Sequence, residues 1–334
     1  MTDPFPLRAL DDILHLTLPE ADESARQAAR TRQDSLTKPP GSLGRLEELA
    51  IFMAGWQRRD MPRIERAQAL VFAGNHGVCA QGVNPFPQAV TALMVANFEA
   101  GGAAINQLCR IAGADLRVVA LDLDTPTQDF TEGPAMSTAE CLAALNTGAA
   151  AVDRQADIVV LGEMGIGNST VSAALAHAIC GGAVADWVGP GTGSDAEALS
   201  RKRDVVARGV ARNGGLSPLD MLMALGGREQ AALCGAVIAA RMAQIPVLLD
   251  GYICSAAVAP LHGARRALLD HCLVGHRSAE PGHGRLCAAF GKEPVLDLGM
   301  ALGEGTGAAL ALGVLRGALA CHNGMATFAE AGIG

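Results

Sequence analysis

Two kinds of apolar pattern alternate along this chain. Short, nearly unbroken apolar runs recur at 67–72 (AQALVF), 116–124 (LRVVALDLD), 157–161 (DIVVL) and 245–251 (IPVLLDG). Runs of this length, closed by Gly, Asn or Asp, read as strands buried on both faces. Between them, apolar residues recur at helical spacing over 88–112 and 137–153, after GEMGIGNST, through GGREQAALCGAVIAARM, and from Ala308 to Ala320. Strands alternating with helices predict a three-layer α/β fold around a mostly parallel, Rossmann-like sheet.

Both ends of the chain carry helical periodicity without strands. Residues 5–30 place Leu7, Leu10, Ile13 and Leu14 on one face and continue as a polar, Arg- and Glu-rich helix. Pro39, Pro40 and Gly41 break it; Ser42 is placed to cap the next helix, which restarts on Leu43, Leu46 and Leu49. The expectation is a small helical lobe from 1–60 and 308–334, beside a large α/β domain over 61–307 that carries the site.

Composition narrows the class. The 334 residues can bury one large core or two unequal ones. Half are apolar yet only 3% aromatic, and 40 glycines suit tight helix–sheet packing and close backbone approach to a ligand. A net charge of -8 argues against nucleic-acid binding, which needs a basic surface. No apolar run is long enough for a membrane span, and the first residues lack the basic start of a signal peptide. Nine cysteines without a CxxC pair read as reduced thiols of a cytoplasmic protein.

Candidate chemistry sits in the loops. Asn75, His76 and Gly77 follow the first strand, at the end where open α/β sheets bind ligands. Asp122 and Asp124 end the second. After the third, Glu163, Gly165, Gly167, Asn168, Ser169 and Thr170 form a strand–turn–helix junction of the kind that cradles a phosphate on backbone amides. It is neither GxGxxG nor a P-loop. A second glycine-rich loop, VGPGTGSD, precedes a helix bearing Arg201, Lys202 and Arg203, a cluster that by itself reads as a solvated face. His276, Ser278, Glu280 and His283 crowd one loop, but their spacing matches no zinc pattern; no metal or cofactor is expected, and Glu280 and His283 read as shaping 276–285. Finally, PVLDLGMALGEGTGAAL sets Glu304 among Gly303, Gly305 and Gly307 at a helix start, where a lone acid is poorly placed for packing and well placed for chemistry.

Taken together, TKPPGSLGRLE, GNHGV, GVNPFPQAVT, GEMGIGNST, GPGTG, ALGGRE, LLDGYICSAAV, HRSAEPGH and LGMALGEGTGAA closely resemble the nicotinate-nucleotide–dimethylbenzimidazole phosphoribosyltransferase family of cobalamin biosynthesis. The blocks run in order from about residue 35 to 325. The resemblance implies exchange of nicotinate on nicotinate mononucleotide for 5,6-dimethylbenzimidazole, giving α-ribazole 5′-phosphate with inversion at the anomeric carbon. It implies Glu304 as general base and Glu163 as a second acid near the ribose or departing base. Gly165, Gly167, Lys202 and Ser278 would bind phosphate, Ala80, Gln88 and Leu302 would line the benzimidazole pocket, and Gly303 would also bind substrate. It also implies a homodimer. Where the family often has aspartate before the histidine of GNHGV, this chain has Asn75. Two alternatives stay open: the same transfer to another azole or a phenolic acceptor, or a nucleotide-binding sensor without catalysis.

Overall fold

The computed structural model describes residues 4–333 apart from 192, 194 and 214. Five strands, β1 (Ala67–Ala73), β2 (Ala114–Ala120), β3 (Ile158–Met164), β4 (Val247–Leu249) and β5 (Cys272–Val274), form one sheet in the order β2-β1-β3-β4-β5. Every pairing is parallel, with Ala67 opposite both Ala114 and Ile158, Val159 opposite Val247, and Val247 opposite Cys272. The chain leaves β1 in one direction to β2, then crosses back to β3 on its other side. That reversal opens a crevice at the carboxyl ends of β1 and β3, where doubly wound sheets bind ligands.

The two-residue repeat of a strand sends alternate side chains to opposite layers. Leu70, Phe72, Val159, Leu161, Val247 and Leu249 join one buried cluster. Helices α5 (Thr138–Ala151), α6 (Asn168–Cys180), α8 (Pro218–Leu225), α9 (Arg228–Met242) and α10 (Tyr252–Ala264) supply its other wall. Ala69, Val71, Ile158, Val160, Leu248 and Leu273 face the second cluster, with α2 (Arg45–Gln57), α4 (Ala104–Ala112) and α12 (Thr306–Gly324). Helices α1 (Glu23–Ser35) and α12 both pack on α2, so the two chain ends meet on this side. Helices α3 (Ala89–Glu99), α7 (Ala196–Arg212) and α11 (His283–Phe290) complete the set.

Four sequence expectations are corrected. The single helix over 5–30 is a 3₁₀ turn, Leu10–His15, and then α1, because Pro19 holds the intervening chain extended and Asp22 caps the new start on the Ala25 amide at 3.0 Å. The helix over 88–112 divides into α3 and α4 at Gly101, whose φ of 79° is left-handed. Ser42 does not cap α2: it lies in a tight turn, its amide 3.1 Å from the Pro39 carbonyl, and Gly44 is the cap. The second strand stops at Ala120, and Asp122 turns with φ 44°. Strand β5 was not anticipated; three residues between two histidines carry too little pattern to read.

Candidate active site

The last turn of β3 carries Glu163, only 4% exposed, into the crevice. The Asn168 side-chain amide, from the first turn of α6, donates to its Oε2. Burial pushes the Glu163 carboxyl up to about 8, and the nearby Asp250, Glu229 and Glu304 carboxylates add to the rise.

Glu304 arrives from the opposite side on a strained turn. Gly303, Glu304 and Gly305 adopt φ of 84°, 62° and 83°, a left-handed run that costs the one non-glycine residue on the order of 1 kcal/mol. The turn is held by Asp250, at the end of β4, whose two oxygens accept the amides of Gly305 (3.0 Å) and Ala308 (2.9 Å). Asp250 thus does for α12 what a local cap usually does. Gly162 allows the approach: a Cβ there would lie 2.5 Å from the Gly305 nitrogen. Burial lifts Glu304 to about 7, and Asp250 contributes.

A third group forms around Lys202, the inward residue of the Arg201–Lys202–Arg203 run; its two neighbours are exposed. Its Nζ donates to Ser169 Oγ at 3.0 Å and to the Gly189 carbonyl at 3.4 Å. Burial lowers its pKa, offset by the charge of Glu280. Glu280 Oε1 accepts the Gly191 amide at 2.9 Å, while Oε2 has no hydrogen-bond partner among the described residues. Glu280 thus ties its own loop to the Gly191 loop. His283 shapes the 276–285 loop: its Nδ1 accepts the Ser278 amide at 2.7 Å, leaving the ring hydrogen on Nε2, 3.1 Å from Ser255 Oγ. Burial pushes His283 down to about 3, so the ring is neutral.

These groups share a cleft, lined among others by Val83, Glu163, Gly165, Lys202, Leu302 and Glu304. Gly167 and Glu280 also line it. A smaller adjoining cavity holds Ser278 and Gly303 with Asp250, and has Glu163, Glu280 and Leu302 in common with the first. Ala80 and Gln88 line neither cavity. Ala80 is exposed in the Gly77–Gln81 turn, and the Gln88 amide donates to the His76 carbonyl; Val83, Asn84 and Pro85 form that wall instead. Part of the VGPGTGSD loop, Thr192 and Ser194, lies outside the described residues. No group of three or more His, Cys, Asp or Glu among the described residues could hold a metal ion.

Sequence reasoning missed Asp250 and Glu229. The one available signal for Asp250 was an acid directly after a buried strand, at the ligand-binding end.

A buried lysine–hydroxyl–amide corner set against two carboxyls with raised pKa values can seat a phosphate while protons move nearby. Such a cleft suits a phosphorylated ligand, and a phosphoribosyltransferase family model matches residues 18–333. The nicotinate-nucleotide–dimethylbenzimidazole phosphoribosyltransferase of Rhodobacter capsulatus is 66% identical over 95% of both chains, and that of Ruegeria pomeroyi is 58% identical over 94% of both. The solved structure of the Thermus thermophilus enzyme superposes with a TM-score of 0.88 at 40% identity, covering 94% of this chain and 99% of that one. The chain belongs to the nicotinate-nucleotide–dimethylbenzimidazole phosphoribosyltransferase family.

Proposed function

We propose that this enzyme transfers the phosphoribosyl group of nicotinate mononucleotide to 5,6-dimethylbenzimidazole, releasing nicotinate and forming α-ribazole 5′-phosphate, with Glu304 as general base. The observation that carries the residue assignment is the placement of Glu304, held by Asp250 on a left-handed turn in the cleft that also holds Glu163 and Lys202.

The chemistry asks little of the protein beyond these groups. Nicotinate leaves from a ring nitrogen that is already cationic, so its departure needs no proton donor. The attacking azole must lose its N–H proton as the new C–N bond forms. A carboxyl poised near 7 is well matched to accept that proton at neutral pH. Glu163, pushed up to about 8, binds a proton while the cleft is empty; a cationic nicotinate ring or an oxocarbenium-like ribose beside it favours the carboxylate. Lys202, Ser169, Ser278 and the Gly165–Gly167 turn are the phosphate seat. Leu302, Gly303 and the 83–85 wall border the acceptor. An apolar wall separates acceptors differing by one methyl by only about 1–3 kcal/mol, so related azoles are expected to react. All nine cysteines are free thiols, which supports a cytoplasmic setting, and we take the active form as a homodimer.

A product assay with both substrates tests the reading. Wild type should release nicotinate with α-ribazole phosphate, and Glu304→Gln should lose about a hundredfold or more in kcat. A fully active Glu304→Gln variant would move the base to Glu163; a wild type inactive with every azole offered would return the chain to the nucleotide-sensor reading.

A further inference from the structure

Against the Gly165 turn lies an ionisable pair that the mechanism does not use. His76 follows β1 and Glu229 sits in the first turn of α9; both are fully buried. His76 Nε2 and Glu229 Oε1 are 3.2 Å apart. Neither ring nitrogen and neither carboxylate oxygen has a well-formed hydrogen bond among the described residues; the two side chains face each other at ion-pair distance. A buried pair of this kind seldom adds net stability over apolar packing, because desolvation offsets the attraction. Stability does not account for it.

Its surroundings do. Three glycines from three ligand-end segments bring bare backbone onto the pair. A Cβ on Gly74, after β1, would strike Glu229 Oε2, and one on Gly227, before α9, would strike the His76 ring. On Gly165 it would stand 3.0 Å from His76 Nε2 and 2.6 Å from the Gly74 carbonyl. A fourth segment joins through the Gln88 amide, which donates to the His76 carbonyl. Gly165 lines the cleft and starts the turn into α6, so the pair is the floor on which that turn rests. The Glu229 charge also reaches Glu163.

We propose that His76 and Glu229 act as one positioning unit for the nucleotide half of the site, fixing the Gly165–Ser169 turn relative to Glu163; this rests on the reading that the cleft binds nicotinate mononucleotide. The pair touches the turn from behind, so its loss should weaken nucleotide binding and leave the acceptor side alone.

The test uses the full-length enzyme and the variants Glu229→Gln, His76→Gln and the double variant. Calorimetric titration gives the Kd for nicotinate mononucleotide, and steady-state kinetics give the KM for 5,6-dimethylbenzimidazole. Each single variant should weaken nucleotide binding about tenfold or more, with acceptor KM within about twofold. The double variant should bind no worse than either single, because two amides can pair with each other and the interaction is shared. Equal effects on both substrates, strictly additive losses, or unchanged nucleotide affinity would overturn the assignment. Failure of both single variants to fold would do so too, by making the pair a folding element. Should wild type bind nicotinate mononucleotide without turning it over, the proposed reaction fails while calorimetry, applied to both substrates, still decides this inference. A wild type that does not bind it overturns both.

Discussion

The two ends of the sheet hold charge differently. At the amino ends of the strands, two half-buried cations are answered by backbone carbonyls. Arg316 donates to the carbonyls of Ala112 (2.7 Å), Ile64 (2.7 Å) and Gly113 (3.0 Å), beside the starts of β1 and β2. Lys292 donates to the Cys272 carbonyl at the start of β5 at 2.7 Å. At the carboxyl ends, beside the buried Lys202 and Arg228, acids crowd together: Glu163, Glu229, Asp250, Glu280 and Glu304 are all buried, and Glu229 and Glu280 keep oxygens without a hydrogen bond among the described residues. Cations satisfied by carbonyls tie strand starts to helices and stiffen the frame. Acids held close together raise one another's pKa and cost stability, which is useful where a proton has to move near neutral pH.

That contrast can be broken one residue at a time. The largest effect should come from Glu163→Gln, read as stability against pH. The folded pKa of about 8 lies above the ordinary value of 4.5, so the folded state keeps a proton that the unfolded chain gives up between them. The resulting stabilisation is fully present below 4.5 and is lost as pH rises through 8, at up to about 1.4 kcal/mol per pH unit. Denaturant titrations at pH 5 and pH 8 should therefore show wild type losing several kcal/mol that the glutamine variant keeps. Parallel curves for the two proteins would remove Glu163 from the list of strained acids.

Next in size is Lys202→Met, which removes the inward cation of the phosphate corner. Its kcat/KM for nicotinate mononucleotide should fall about a hundredfold, the scale of a charged hydrogen bond lost to a substrate. At the other end of the sheet, Arg316→Met should lower unfolding stability by about 2 kcal/mol, since three carbonyls lose a charged donor, with kcat unchanged. A fall in kcat there would blur the division between the two ends. The smallest effect sharpens the picture most: Asp250→Asn replaces one amide acceptor of the Glu304 turn with a donor. It should lower kcat about tenfold and shift the acidic limb of the kcat–pH profile downward, because the charge that helps raise Glu304 is gone. A tenfold loss with an unmoved limb would leave Asp250 a purely mechanical role.

Much of this was readable beforehand, and the residues show why. Strand–helix alternation survives in the sequence because buried strands must be apolar and helices must keep an apolar stripe. The Glu163 and Glu304 turns announce themselves through glycines that a left-handed or crowded backbone demands. Lys202 was harder. Only its place on α7 relative to the core distinguishes it from Arg201 and Arg203, which stand one residue to either side and face solvent. Asp250, Glu229 and His76 were harder still, since each acts on a segment far away in sequence: 55 residues separate Asp250 from Gly305.

The sequence alone thus determined the α/β architecture, the ligand-binding end of the strands, and the two glycine-framed acids, all of which follow from local rules of periodicity and backbone freedom. Only the tertiary structure decided which acids stand together, how far burial and mutual repulsion raise Glu163 and Glu304, that Asp250 holds the turn of α12, and that 88–112 is two helices. Periodicity reports what a residue faces, whereas pKa and strain depend on which other residues face it, and that is set by the return of the chain from β1 through β3 to β4.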